Sequence, residues 1–442
     1  MEIQLSDHFD YKRLLRFVFP SIIMMIFTSI YGVVDGFFVS NFVGKTPFAA
    51  VNLIMPFTQI LGALGFMLGA GGCALIAKTL GEKNEKKANE IFSFLVYIGA
   101  VLGVLFAVFG IAFIKPIAAM LGAEGELIDL CALYGRIILV VLPFFMLQNM
   151  FQSFLIVAEK PNLGLAITVI AGATNMVLDA LFMIVFKWGV AGAALATAAS
   201  QFIGGFIPVV YFARKNSSTL KLVKARFDGR ALFQASTNGS SEFVSNISMS
   251  IVAVLYNFQL MKYAGENGVA AYGVIMYVTF IFIAILLGYS IGVAPIIGYN
   301  QGAENHIELQ NVFKKSMVFN TVAGIALTTV AVVLAAPLSK IFVGYDAELL
   351  EMTTHAFKLY AISFLFTGFG IFGSSLFTAL NNGLVSAIIS FLRTLVFQVV
   401  TILILPAIWG IEGVWYSIIV AEFLGAAVAI VYILKYKKKY RY

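Results

Sequence analysis

Two acids, Asp35 and Asp179, stand inside long apolar stretches of a chain in which 61% of residues are apolar and 12% are charged. Placing an acid at hydrocarbon depth costs about 2.5–3.5 kcal/mol on insertion scales, so each one found there is a functional candidate by default. Tyr31 precedes Asp35 by four residues and Asn175 precedes Asp179 by four, which gives each acid a hydrogen-bonding neighbour on its own helical face. Thr197 reaches the same level on the next stretch, so these polar groups share one depth. A carboxylate in an apolar, poorly hydrated pocket holds its proton more tightly than in water, and a second carboxylate nearby strengthens the effect. Such a group can take up and release protons near neutral pH. Carboxylate, amide and hydroxyl oxygens also suit a hard cation such as sodium, and the residue types leave both ions open.

The chain carries its own control. Shifted by 221 residues it matches itself: Gly71, Ile76, Gly81, Asn84 and Phe92 fall on Gly292, Ile297, Gly302, Asn305 and Phe313, and Trp188, Gly189 and Gly192 fall on Trp409, Gly410 and Gly413. A unit has been duplicated. The same shift takes Asp35 to Tyr256, Asn175 to Val396, Asp179 to Val400 and Thr197 to Ile418. One copy does without the acids, so a purely architectural need for them is the weaker account.

Other ionisable groups read differently. Arg393 and Glu422 fall near the middle of adjacent stretches and are expected to pair, because an unpaired charge there is expensive. Glu242 is expected close to the interface, at the start of its stretch and partly hydrated. Pro20 and Gly32 form a candidate hinge pair in the first stretch. Fifteen Met and 42 Phe supply walls able to repack around apolar ligands, with Met176, Met183, Met276 and Phe280 as candidate lining residues beside ordinary packing. No nucleophile–base pair or metal-ligand cluster is visible, and His8, His306 and His355 are scattered, so enzymatic chemistry is not expected.

The elements that hold these residues follow from composition. A mean hydropathy of +0.95 cannot describe a soluble globule of this size. A spanning helix needs roughly 20 apolar residues, and twelve such stretches are placed at about 14–39, 48–77, 92–114, 130–157, 162–186, 190–213, 237–262, 268–298, 315–337, 355–380, 383–408 and 411–434. Strands are not expected, since the runs are too long and too uniformly apolar for a barrel. Lys and Arg collect at one set of loop ends, including Lys83, Lys86, Lys87, Arg214, Lys215, Lys314, Lys315 and the tail from Lys435 to Arg441, which makes those ends and both termini cytoplasmic. That bias accounts for the net charge of +7 without a nucleic-acid partner. The start, with Asp7 and Asp10, runs into a full-length span with no small-residue cleavage site, so no cleavable signal is expected. Cys73 and Cys131 form no disulfide framework or metal spacing.

An even number of spans per copy relates the copies by an axis along the membrane normal, as in parallel repeats. The expected fold is an all-α membrane protein, twelve transmembrane helices in two six-helix bundles related by a parallel pseudo-twofold repeat. Residues 1–213 form the first lobe, 214–234 a charged cytoplasmic linker, and 235–442 the second lobe with its basic tail. Membrane lipid is a partner throughout.

Val34-Asp35-Gly36 with Pro20 upstream, Asn175-x-x-x-Asp179, and the run Gly189 to Thr197 opening helix 6 resemble the MATE (multidrug and toxic compound extrusion) family, in its prokaryotic DinF-like and MepA-like branch. The resemblance covers essentially the full length. It implies a proton-coupled site at Asp35, Asn175, Asp179 and Thr197, with Tyr31 and Tyr134 as neighbours, and export of amphipathic organic cations against an inward proton or sodium gradient across a prokaryotic plasma membrane. Another branch of that family uses an acid on helix 7, for which Glu242 is the candidate here. The expected protein is a monomeric antiporter with no cofactor beyond its coupling ion. A flippase for a lipid-linked precursor and, from another class, a channel or receptor are the alternatives.

Overall fold

A computed structural model of the chain describes residues 3–442. Lipid offers no partner for backbone polar groups, so each span must satisfy its own, and the described chain is helical nearly throughout. The spans are α1 Tyr11–Phe42, α2 Lys45–Gly81, α3 Glu85–Met120, α4 as two segments Glu126–Val140 and Leu142–Val157, α5 Pro161–Asp179, and α6 Gly189–Ala213. The helix Gly229–Gly302 contains two crossings, α7 and α8, divided where Gly265 takes φ 61° and ψ −150°. Then follow α9 His306–Val343, α10 as Ala347–Ala361 and Phe364–Ala379, α11 from Gly383–Phe391 through Phe397–Trp409, and α12 Ile411–Tyr440. Counted as crossings these make twelve.

The structure departs from the sequence reading at three places. The fourth and tenth spans are not straight: α4 bends by 56° and α10 by 46°. In α4 the bend falls just before Pro143, which cannot donate to the preceding turn; α10 carries no proline there. The seventh span begins at Gly229, eight residues before its apolar stretch, because Asp228 caps it through the Ala231 N–H at 2.9 Å. The final residues of the 214–234 segment are therefore the first turns of α7.

The bundles meet where α1 and α2 face α7 and α8, and the contact is closest on the side that carries the termini. Gly71 has no room for a Cβ against the Ala235 carbonyl, nor Gly239 against that of Met67. Lower down, Gly81 is blocked by the Tyr299 carbonyl and Gly302 by that of Lys78. Small residues let backbones approach this closely in lipid, where burial alone does not drive helices together. At the other end of the same helices, Gly32, Gly36 and Gly273 have nothing within 4 Å of a built Cβ. The apolar core follows suit. On the terminal side one cluster joins both bundles, including Phe17, Leu68, Phe92, Ile296 and Phe372. Toward the far side it divides into one cluster around Ile54, Ile138 and Val190 and another around Ile275, Leu327 and Trp415. The bundles are thus joined at the terminal side and part toward the far side.

Two further ties cross the terminal face. The segment before α1 buries Leu5 and Phe9 completely; the Leu5 N–H donates to Glu159 Oε1 at 2.7 Å in the first bundle, and the Phe9 N–H donates to Glu308 Oε1 at 2.9 Å in the second. Lys87 at the start of α3 pairs with Asp228 at 3.4 Å.

Gly81→Ala should lower stability by about 1–3 kcal/mol, because a methyl group there must push backbone from backbone. Gly273→Ala, meeting nothing, should be neutral or stabilising by up to about 1 kcal/mol; melting in detergent measures both. The Ala231 N–H and, more weakly, Lys87 hold the Asp228 carboxyl below the usual aspartate range. Its stabilisation is therefore in force above the ordinary value of about 3.9 and fades as pH falls below it. Asp228→Ala should melt earlier than the parent at neutral pH, and the two curves should converge in acid.

Candidate functional site

The acids of the first bundle converge. Asp35, on α1, faces both Asp179 and Asn175 of α5. Tyr31, one turn before Asp35, is within electrostatic range of it, and Tyr134 of α4 approaches Thr197 of α6 while sensing both carboxylates. Asp179 is 0% exposed, Asn175 2% and Tyr134 4%; Asp35, Thr197 and Tyr31 are half-buried. The convergence depends on local sequence. Gly172, one turn before Asn175, rests on the rings of Phe27 and Tyr31, where a Cβ would clash. Directly after Asp179 the helix widens into a π turn, Ala180–Val185, a feature that often accompanies functional sites.

The group is close but unsatisfied. Asp35 Oδ1, Asn175 Oδ1, both Asp179 oxygens and Thr197 Oγ1 are buried and meet no hydrogen-bond partner. Buried polar atoms are normally paired, and here four carboxyl and amide oxygens and the Thr197 hydroxyl make no hydrogen bond. What would satisfy them is positive: a proton shared between the carboxyls, or a hard cation bound by carboxylate, amide and hydroxyl oxygens.

At the position of Asp35 the second bundle holds a hydrogen-bonded series instead. Tyr256, at the position of Asp35, donates through its hydroxyl to Gln398 Oε1 at 3.2 Å. Gln398 Nε2 reaches Glu422 Oε1 at 3.5 Å, and Arg393 Nε donates to Glu422 Oε2 at 2.9 Å. The arginine stem passes between Gly370 and Gly425, whose hydrogens leave it room, and Arg393 also sits on a π turn, Leu392–Val396.

Glu242 lies thirteen residues after the start of α7 at Gly229 and is half-buried. It lines a cavity between the bundles with Phe66, Cys73, Gln152, Ser375 and Thr378. Pro20 and Gly32 lie within one uninterrupted helix. Met176 is half-buried on α5, and Met183 is buried in the far-side core of the first bundle. Sequence reasoning missed the two π turns, which leave no compositional trace. It also missed three glutamines, Gln148, Gln152 and Gln201, whose buried carbonyl oxygens lack partners. Gln201 follows Thr197 by four residues, and that spacing was the available signal.

The family model MatE matches residues 20–181 and again 243–404, once per bundle. The chain is 28% identical over 428 residues to the "Multidrug export protein MepA" of Staphylococcus haemolyticus, covering 96% of this chain and 94% of that one. To the protein of the same name from Staphylococcus aureus it is 27% identical over 430 residues, with the same coverage. Among solved structures, "Crystal structure of MATE in complex with MaL6" superposes with a TM-score of 0.92 at 24% identity over 98% of both chains. "Outward-facing conformation of a multidrug resistance MATE family transporter of the MOP superfamily" does so with 0.92 at 24% identity, over 98% of this chain and 97% of that one. These superpositions carry the fold.

Arg393→Met should destabilise by about 3–5 kcal/mol by stranding Glu422 as an unpaired buried acid. Arg393→Met/Glu422→Leu should recover most of that loss in the same melting assay, and failure to recover would show that the pair is more than a self-contained tie.

Proposed function

The chain belongs to the MATE family, and we propose that it is a secondary active multidrug exporter, expelling amphipathic organic cations in exchange for protons, or sodium, as its two bundles alternate access. The observation that carries this reading is the set of buried oxygens at Asp35, Asn175, Asp179 and Thr197 that make no hydrogen bond. Multidrug export is named for the MepA relatives, and it fits a site whose occupancy by a positive charge can change.

The side carrying the termini is the cytoplasmic side of a prokaryotic plasma membrane in this reading, as the loop charges favour. The cleft between the bundles then opens outward. An ion arriving from outside would neutralise the aspartates, remove the cost of bringing them together, and favour release of a cationic cargo that competes for the same negative charge. Glu242, lining the cavity between the bundles, would offer cargo a countercharge, and the surrounding Met and Phe side chains an adaptable apolar surface. No cofactor beyond the coupling ion enters the proposal, and a monomer suffices.

In proteoliposomes with an imposed pH gradient, adding substrate should dissipate the gradient, and Asp35→Asn and Asp179→Asn should each abolish the coupled flux. Glu242→Gln should raise the substrate KM while leaving the ion-to-substrate ratio unchanged. Coupled flux that persists in both aspartate variants would refute the site, and flux that follows sodium at fixed pH would identify sodium as the coupling ion.

A further inference from the structure

Below the aspartates, the first bundle contains polar groups that the exchange site does not use. On α5 one face runs Asp179, Asn175, Gly172, Thr168; on α6 one runs Thr197, Gln201, Gly204, Pro208; and α4 contributes Gln148 and Gln152, one turn apart. At 1.5 Å per residue from the cytoplasmic ends of their helices, Asp179 stands about 27 Å up, Asn175 about 21, Gln201 about 18, Gln148 about 14, Thr168 about 10 and Gln152 about 8. No step between neighbours in this series exceeds about 6 Å along the membrane normal.

Three observations mark these groups as unfinished rather than as packing. The Oε1 atoms of Gln148, Gln152 and Gln201 are all buried without a hydrogen-bond partner. Gln148, Gln152 and Thr168 line one cavity with Gly204 and Pro208, with about 10 Å³ open to water centres, room for about one water. Pro208 has no N–H to give the Gly204 carbonyl one turn earlier, so this cavity wall holds a further backbone acceptor outside the helical ladder. Gly204 itself is required there, because a Cβ would lie 2.5 Å from the Gln148 amide carbon. A polar, water-sized space bounded by several acceptors is where buried water resides.

The duplication again supplies a control. Shifted by 221, Gln148 becomes Phe369, Gln152 becomes Gly373 and Thr168 becomes Ile389. Gln201 becomes Glu422, which Arg393 already engages. The column, like the aspartates, exists in one bundle only.

We propose that Gln201, Gln148, Thr168 and Gln152 position water through which protons leave the Asp35–Asp179 pair for the cytoplasm inside the first bundle. The inference rests on the reading of that pair as a proton-coupling site. The amides do not titrate; each water accepts a proton from above and gives one up below, so the relay ends chemically unchanged. The glutamines are positioning residues.

The test compares variants of the full chain in proteoliposomes carrying an inward proton gradient, with an organic cation whose equilibrium binding is measured separately. Gln148→Leu should lower substrate-driven proton flux about tenfold, the effect of losing roughly one hydrogen-bonded link, while leaving substrate affinity in place. Gln148→Asn, which keeps the amide and leaves space for additional water, should restore part of the flux. Where the leucine variant fails to fold, Thr168→Ile, the residue at this place in the second bundle, should slow flux in the same way. Undiminished flux in Gln148→Leu and in Thr168→Ile overturns the proposal, as does a loss of substrate affinity that fully explains the slower flux. If Asp35→Asn and Asp179→Asn exchange normally, it is instead the underlying coupling reading that has failed.

Discussion

The closeness of backbone to backbone along α2 against α7 and α8 is the constraint on which the rest of the structure depends. Helices in lipid gain nothing from burying apolar surface against one another, so their association must come from van der Waals contact and weak polar contacts between main chains. Gly71 and Gly239, with Gly81 and Gly302, provide such contact at two levels on the terminal side. Because the glycines occupy only that half, the bundles are held at one end and diverge at the other. The cleft, the placement of Glu242 within it, and the exposure of the outer parts of α1 and α8 follow from where those hydrogens stand.

Within this frame the two bundles differ in electrostatic completeness. The second holds Tyr256, Gln398, Glu422 and Arg393 as a closed series of donors and acceptors. The first holds carboxylates, an amide and a hydroxyl whose oxygens make no hydrogen bond. A closed network in a low-dielectric interior rigidifies what it joins, whereas an open one leaves its members dependent on something arriving. Both fifth helices widen into π turns at these groups, so the backbone device is common to the halves and only the side chains set them apart.

Much of this was legible beforehand. Twelve spans could be read because a bilayer imposes a length on every crossing, and Asp35 and Asp179 could be paired because acids at that depth are too costly to be incidental. What escaped were features with little or no hydropathy signature. The early start of α7 was missed because its first two turns are polar, and helix there depends on the Asp228 cap. The bend of α4 at Pro143 and the break at Gly265 are matters of backbone geometry. The glutamine oxygens could be recognised as unpaired only once three helices had been brought together.

The positions that survived duplication unchanged now have physical reasons. Asn84 and Asn305 cap α3 and α9 through the N–H groups of Lys87 and Glu308, each at 3.1 Å. Gly189 and Gly410 both turn the chain at positive φ, 56° and 59°. Gly71 and Gly292, like Gly81 and Gly302, press against the opposite half. The positions that match are those held by a cap, a turn or a neighbouring helix. A comparison of this protein with itself is therefore a rough chart of its hinges and joints, and its blank regions show where chemistry was allowed to become one-sided.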